Sequence, residues 1–252
     1  MMQIFVISLA GAADRRAFIS AQLAKVGLPF EFVDAVWGKD HYSDPGCYDR
    51  EKALRIELRN MTPGEVGCAL SHQKIYSMIE ERGLPYALVM EDDAVVSPDL
   101  PEALRLLEGR IRPNDLIQLE RCDVYSKKGI EPLFGKYRLV KPAMVKYGSM
   151  CQSAGYVITK EAAAKIRSIN SPVYVPADSW GQYVGIVNFR GVIPTLTLIK
   201  QDVSFACTTQ DYQRSEFTPS TRLSLLIYAF KTRSWLGRNL KEVAKKILRR
   251  GS

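Results

Sequence analysis

The first 34 residues constrain the fold most. Gln3 to Leu9 (QIFVISL) is β-branched and apolar and reads as a buried strand. Asp14 can cap a helix to about Val26, which Gly27 ends. Phe30 to Val33 (FEFV) reads as a second strand. Strand, helix, strand in so short a stretch predicts an α/β sheet with parallel neighbours. Later segments keep the alternation. Thr62-Pro63-Gly64-Glu65 has the form of a capping box with proline at N1. It opens a helix to about Arg82 that stops at Gly83, with Val66, Leu70, Ile75 and Met78 on its buried side. Strands are expected at Tyr86–Met90, Asp115–Leu119, Ser153–Ile158 and Val192–Leu198, and helices at 99–111 and from Thr159 to about Ser168. Residues 38–49, 120–150 and 172–185 read as loops.

The chain has 252 residues, 46% of them hydrophobic, enough for a core that needs no disulfide or structural metal. The densest apolar run, Leu223 to Phe230, falls far short of the ~20 residues of a membrane span. The start has neither the positive region nor the long apolar run of a secretory signal. Cys47, Cys68, Cys122, Cys151 and Cys207 form an odd set without C-x-x-C or Cys/His ligand spacing. They are expected as free thiols in a reducing cytosol, not as a zinc site.

The apolar YALVM segment runs directly into Glu91-Asp92-Asp93. Ligands of open α/β sheets bind beyond the carboxyl ends of strands. Adjacent carboxylates repel, so a cation or hydrogen-bond donors must compensate them. Hard oxygen ligands suit Mn²⁺ or Mg²⁺, which commonly bridge to phosphates. The pattern therefore suggests a divalent metal holding a diphosphate. A solvated acidic turn is the plain alternative.

Four segments, in order, resemble glycosyltransferase family 25, the bacterial lipooligosaccharide glycosyltransferases. They are IFVISLAGAADRRAFISAQLAKVGLPFEFVDAVWG, MTPGEVGCALSHQKIY, YALVMEDDAVV, and SAGYVITKEAAAKI followed by VPADSW. The match spans about residues 3–200. Tyr76 and Glu161 depart mildly from the family pattern, and loops 38–60 and 120–150 match nothing. The resemblance implies a GT-A-type fold, a Rossmann-like mixed sheet flanked by helices, over residues 1–215. A basic amphipathic tail, 216–252, follows. It also implies a UDP-sugar donor, probed first as UDP-galactose, an inverting transfer, and a DXD-like metal site.

On that reading Asp93 and Glu91 hold the metal, and Asp92 faces the ribose or supports from behind. Arg15 and Arg16, at the start of the first helix, are placed to meet the diphosphate or uracil. Ser8 and Leu9 end the first strand and can present backbone groups to uracil. Asp34 can accept from uridine. His72 is expected at the site, on a phosphate or behind the metal ligands. Ser153 and Gly155 lie where the donor can approach closely. Asp178 is the general-base candidate, with loop capping or metal ligation as alternatives. Glu91 shares the catalytic role through its metal. Trp180 can stack on an acceptor sugar or pack in the core.

The net charge of +8 is localised. Residues 220–252 carry nine basic side chains and one acid, Glu242, leaving 26 of each sign in the rest. Trp235, Leu236, Leu240, Val243, Ile247 and Leu248 recur at helical spacing between the basic residues. The pattern suits an anionic membrane surface, or a helix docked on the body. A neutral body without a reader motif speaks against nucleic acid as partner. The expectation is a hexosyltransferase acting on a lipooligosaccharide core, cytoplasmic and peripheral on the inner membrane of a Gram-negative bacterium. An inactive glycosyltransferase-like protein, or one binding membrane or nucleic acid through its tail, is the alternative.

Overall fold

The computed structural model describes residues 2–145, 150 and 152–199. The expected tail, 216–252, and the last part of the expected 1–215 domain lie outside the described residues. The elements run β1 (Gln3–Ser8), α1 (Ala13–Lys25), β2 (Glu31–Asp34), α2 (Gly38–His41), α3 (Arg50–Ile56), α4 (Pro63–Glu81), β3 (Tyr86–Glu91) and β4 (Ala94–Val96). They continue with α5 (Leu100–Glu108), β5 (Asp115–Gln118), β6 (Glu131–Phe134), β7 (Tyr137–Val140), β8 (Gly155–Thr159), α6 (Lys160–Ile169), β9 (Asn188–Ile193) and β10 (Thr197–Ile199).

Eight strands form one mixed sheet in the order β2-β1-β3-β8-β5-β9-β7-β6. β1 is parallel to both β2 and β3, whereas β8 is antiparallel to β3 and β5. Successive residues of the central strands face opposite sides. Phe5, Ile7, Ala87 and Val89 join the core beneath α4 and α6. Ile4, Val6, Leu88 and Met90 join the core beneath α1 and α5. Burial on both faces explains why these strands read as unbroken apolar runs.

The capping box forms as the sequence predicts. Thr62 Oγ1 accepts from the Glu65 N–H, and Glu65 Oε2 accepts from the Thr62 N–H. Arg59 clamps both oxygens of Glu65 at 2.7 Å, tying the incoming loop to the helix start. Thr159 likewise caps α6 by accepting from the Ala162 N–H. The chain leaves β1 to one side, through β2, and returns to its other side at β3. The crevice between the carboxyl ends of β1 and β3 is therefore the switch point of the sheet.

Several local expectations are corrected. Asp14 does not cap α1: Ala12 holds that position, with no side-chain bond, and Asp14 lies in the first turn. Residues 38–60 hold α2 and α3, the latter capped by Asp49, which accepts from the Lys52 N–H. The 120–150 region holds the β6–β7 hairpin, whose edge strand carries Pro132. The segment 192–198 is the end of β9 and the start of β10, interrupted at Pro194, which cannot donate to a ladder. No helix among the described residues is long and apolar enough to cross a membrane.

Candidate active site

Register builds the site. Ile7 lies beside Glu91 in the parallel β1–β3 pair, so the next residues, Ser8 and Asp92, meet where the strands end. Ser8 Oγ donates to Asp92 Oδ2 at 2.6 Å, and Arg15 Nε donates to Asp92 Oδ1 at 2.7 Å. Asp92 is buried. It fastens β1, α1 and β3 together and has no face left for a ribose. That corrects one expected role: Asp92 is an anchor.

Arg15 also contacts Asp93 Oδ2 at 3.1 Å. The other oxygen, Asp93 Oδ1, is buried without a hydrogen-bond partner among the described residues. Burial, with Glu91 close by, pushes the Asp93 carboxyl up to about 6. Glu91 Oε1 accepts from Ser153 Oγ at 2.5 Å and lies 3.6 Å from His72 Nε2. Burial raises Glu91, but His72 and Ser153 outweigh it and hold the group below its ordinary value.

Two further carboxylates complete the cluster. Glu120 follows the end of β5, and its Oε2 accepts from the Ala154 N–H at 2.9 Å. Burial, with Glu91, Asp93 and Asp178 nearby, pushes it up to about 8. Asp178 Oδ2 accepts from the Gln152 N–H at 3.2 Å. Burial, reinforced by Glu91, raises Asp178 as well. Sequence reasoning missed Glu120. The signal was available, since DLIQLE ends an apolar strand on a carboxylate as YALVME does.

Other expected site residues have structural partners. Arg16 donates to the Ser8 carbonyl at 3.1 Å, pairs with Asp34, and lies over the Phe32 ring at 4.8 Å. The Asp34 carboxylate remains largely exposed at the end of β2. The Ser8 carbonyl also takes the Ala35 N–H, and the Leu9 carbonyl takes the Ala12 N–H in the turn to α1. These two backbone oxygens thus already serve the fold. Ser153 orients Glu91. Gly155 is buried, and a Cβ there would lie 2.4 Å from Thr197 Oγ1. Its missing side chain serves packing rather than donor approach. Trp180 is also corrected: it is buried, sits edge-on to Tyr156, and donates its indole N–H to the Gln152 carbonyl at 3.0 Å. A sugar cannot reach its face.

His72 is in the site as expected, 1% exposed. Its Nδ1 is 2.6 Å from Tyr156 Oη, which is 2.7 Å from Tyr76 Oη. The ring is thus held from behind and turned toward Glu91. Carboxylate oxygens such as those of Glu91 and Asp93 suit a hard divalent cation, although neither close ligand trio among the described residues, Cys68–His72–Glu91 or His41–Asp44–Cys47, includes Asp93. Asp93 Oδ1 is a buried oxygen without a partner, and Glu91 helps to raise both Asp93 and Asp178, strains that a cation would relieve.

Fold and site together define an α/β protein with an acidic cluster at the switch point of its sheet. The chain belongs to glycosyltransferase family 25 (LPS biosynthesis protein), whose sequence profile matches residues 1–180. It is similar to the lacto-N-neotetraose biosynthesis glycosyltransferase LgtB of Neisseria gonorrhoeae, 28% identical over 180 residues, covering 64% of this chain and 58% of that protein. It is also similar to the lipooligosaccharide biosynthesis protein lic2B of Haemophilus influenzae, 29% identical over 171 residues, covering 64% and 61%. A third relative is the probable inactive glycosyltransferase 25 family member 3 of Bos taurus, 31% identical over 180 residues, covering 65% and 28%. The chain thus spans about three fifths of the bacterial relatives' length and under a third of the bovine one's.

Proposed function

We propose that this chain is a metal-dependent, inverting glycosyltransferase of GT-A type. It moves a hexose, galactose first, from a UDP-sugar to a lipooligosaccharide core acceptor. The observation that carries the reading is the carboxylate cluster at the switch point, with Asp93 Oδ1 buried and unpartnered. Family membership and the names of the bacterial relatives support sugar transfer in lipooligosaccharide assembly.

Asp93 and Glu91 hold Mn²⁺ or Mg²⁺, which neutralises charge on the leaving diphosphate when bound. Arg15 fixes the position of Asp93, and His72 and Ser153 fix Glu91. Asp178 takes the acceptor hydroxyl's proton; its raised affinity for a proton suits a base. Asp34 accepts from a uridine hydroxyl. The basic segment 220–252 keeps the chain peripheral on the cytoplasmic face of the inner membrane.

The second reading is an inactive family member, favoured by the bovine relative's name. Incubation with UDP- and GDP-sugars and Mn²⁺, scoring nucleotide diphosphate release with and without EDTA, separates the two. EDTA-sensitive release from UDP-galactose is expected. Release from UDP-glucose alone changes the donor. Donor binding by calorimetry without turnover, with acceptor present, favours the inactive reading.

A further inference from the structure

Beneath Glu91 lies a second, softer set of ligands. Cys68 and His72 stand four residues apart on α4, so both project from the same face. One ligand atom each from Cys68, His72 and Glu91 lies within 4.8 Å of the other two. His72 Nε2 is buried without a hydrogen-bond partner among the described residues, and Glu91 Oε1 at 3.6 Å is beyond bonding distance. Nε2 thus faces only the Glu91 carboxylate, too far for a well-formed hydrogen bond, and a buried ring nitrogen so loosely partnered is costly. The other nitrogen has the support that metal-bound histidines use, a Tyr156–Tyr76 hydroxyl pair fixing the ring.

We propose that Cys68, His72 and Glu91 bind a thiophilic divalent cation, Zn²⁺ first, through sulfur, nitrogen and oxygen, with a fourth position open. Tetrahedral zinc with bonds of about 2.0 to 2.3 Å separates its ligand atoms by roughly 3.3 to 3.7 Å. The His72–Glu91 separation already matches, and Cys68 has at most about 1 Å to close. Binding converts the thiol to a thiolate and releases its proton to solvent. Burial, with Glu91, Asp178 and Asp93 around it, holds the Cys68 thiol well above its ordinary value. Cys68, like Cys47 and Cys122, is a free cysteine as the sequence predicts, and the proposed site gives that free thiol a metal. His41, Asp44 and Cys47 form a second close trio, but on an exposed turn where Cys47 Sγ donates to Asp44 Oδ2 at 3.2 Å. That trio serves as the comparison. The proposal does not depend on sugar transfer, because binding is read without donor.

The test is titration of the full chain with Co²⁺, following the thiolate-to-cobalt charge-transfer band, and its displacement by Zn²⁺. The wild-type chain is expected to show the band, Cys47→Ser to keep it and Cys68→Ser to lose it. Tyr156→Phe is expected to weaken Co²⁺ about 10- to 100-fold by freeing the ring. Glu91→Gln decides if Cys68→Ser does not fold, and is expected to weaken binding at least tenfold. No band in the wild-type chain, a band surviving Cys68→Ser, or Co²⁺ affinity unchanged in Glu91→Gln would overturn the proposal.

Discussion

Adjacent carboxylates have different fates, set by what each side chain meets. Asp92 accepts from Ser8 and Arg15 and is part of the scaffold. Removing one partner of a buried ion pair costs about 3 kcal/mol, because the other charge stays buried. Asp92→Ala is expected to lower urea stability by about that amount. Asp93→Asn removes a repelled charge, so it is expected to hold or raise stability while abolishing Mn²⁺-dependent donor turnover. Equal destabilisation of both variants would remove the distinction. Glu120 gives a pH test. Its folded value of about 8 lies above the ordinary 4.5, so the folded chain holds this proton more tightly than the unfolded chain. That stabilisation is complete at low pH and is lost as pH rises through about 8. Asp93 acts in the same sense up to about 6. The metal-free protein is therefore expected to lose stability between pH 5 and 8, at about 1.4 kcal/mol per unit of pH for each deprotonating group. Glu120→Gln should flatten the upper part of that slope in thermal melts, and a slope unchanged by it would refute the assignment. The sequence showed the acidic run but not this division, which depends on neighbours up to 84 residues away. Trp180 was left open between sugar and core for the same reason, since a tryptophan next to a candidate base reads alike whether buried or open, and the structure buries it.

Elements with strong local chemistry were legible; those defined by their partners were not. The β1-α1-β2 start, the α4 capping box and β3 all emerge from residues adjacent in the chain. The β6–β7 hairpin was hidden because Pro132 reads as a breaker, and an edge strand tolerates it. α3 was hidden by its length, although Asp49 marked its cap. At the start of α4 the main chains of two elements touch. A Cβ on Gly67 would lie 2.6 Å from the Val36 carbonyl oxygen and 2.7 Å from the Gly38 nitrogen. Both are backbone atoms that cannot swing aside. Gly67→Ala is expected to cost at least about 3 kcal/mol, at the severe end of overpacking. Thr62→Ala loses only a cap, about 1 kcal/mol. Chemical denaturation ranks the pair, and a Gly67→Ala chain as stable as Thr62→Ala would show that α2 can move away from α4.

Charge separates the chain into two unlike parts. Residues 1–219 balance to zero around an acidic site, and residues 220–252 carry the entire +8. A uniformly basic protein would draw anions to its whole surface, acidic site included. Under the proposed function, attraction to an anionic bilayer and retention of a divalent cation would belong to different parts of the chain and would not compete. Each basic residue near an anionic bilayer contributes about 1 kcal/mol. Neutralising Lys241, Lys245 and Lys246 as glutamines should then weaken partitioning onto anionic vesicles roughly 100-fold. It should leave binding of a soluble UDP-sugar unchanged. Sedimentation with vesicles of mixed anionic and neutral lipid measures the first, and calorimetry the second. Raised salt should mimic the substitutions on the wild-type chain, since screening acts on the same charges. Partitioning indifferent to both salt and the three glutamines would assign attachment to the apolar residues Trp235, Leu236 and Leu240 instead, or show that the tail packs on the body.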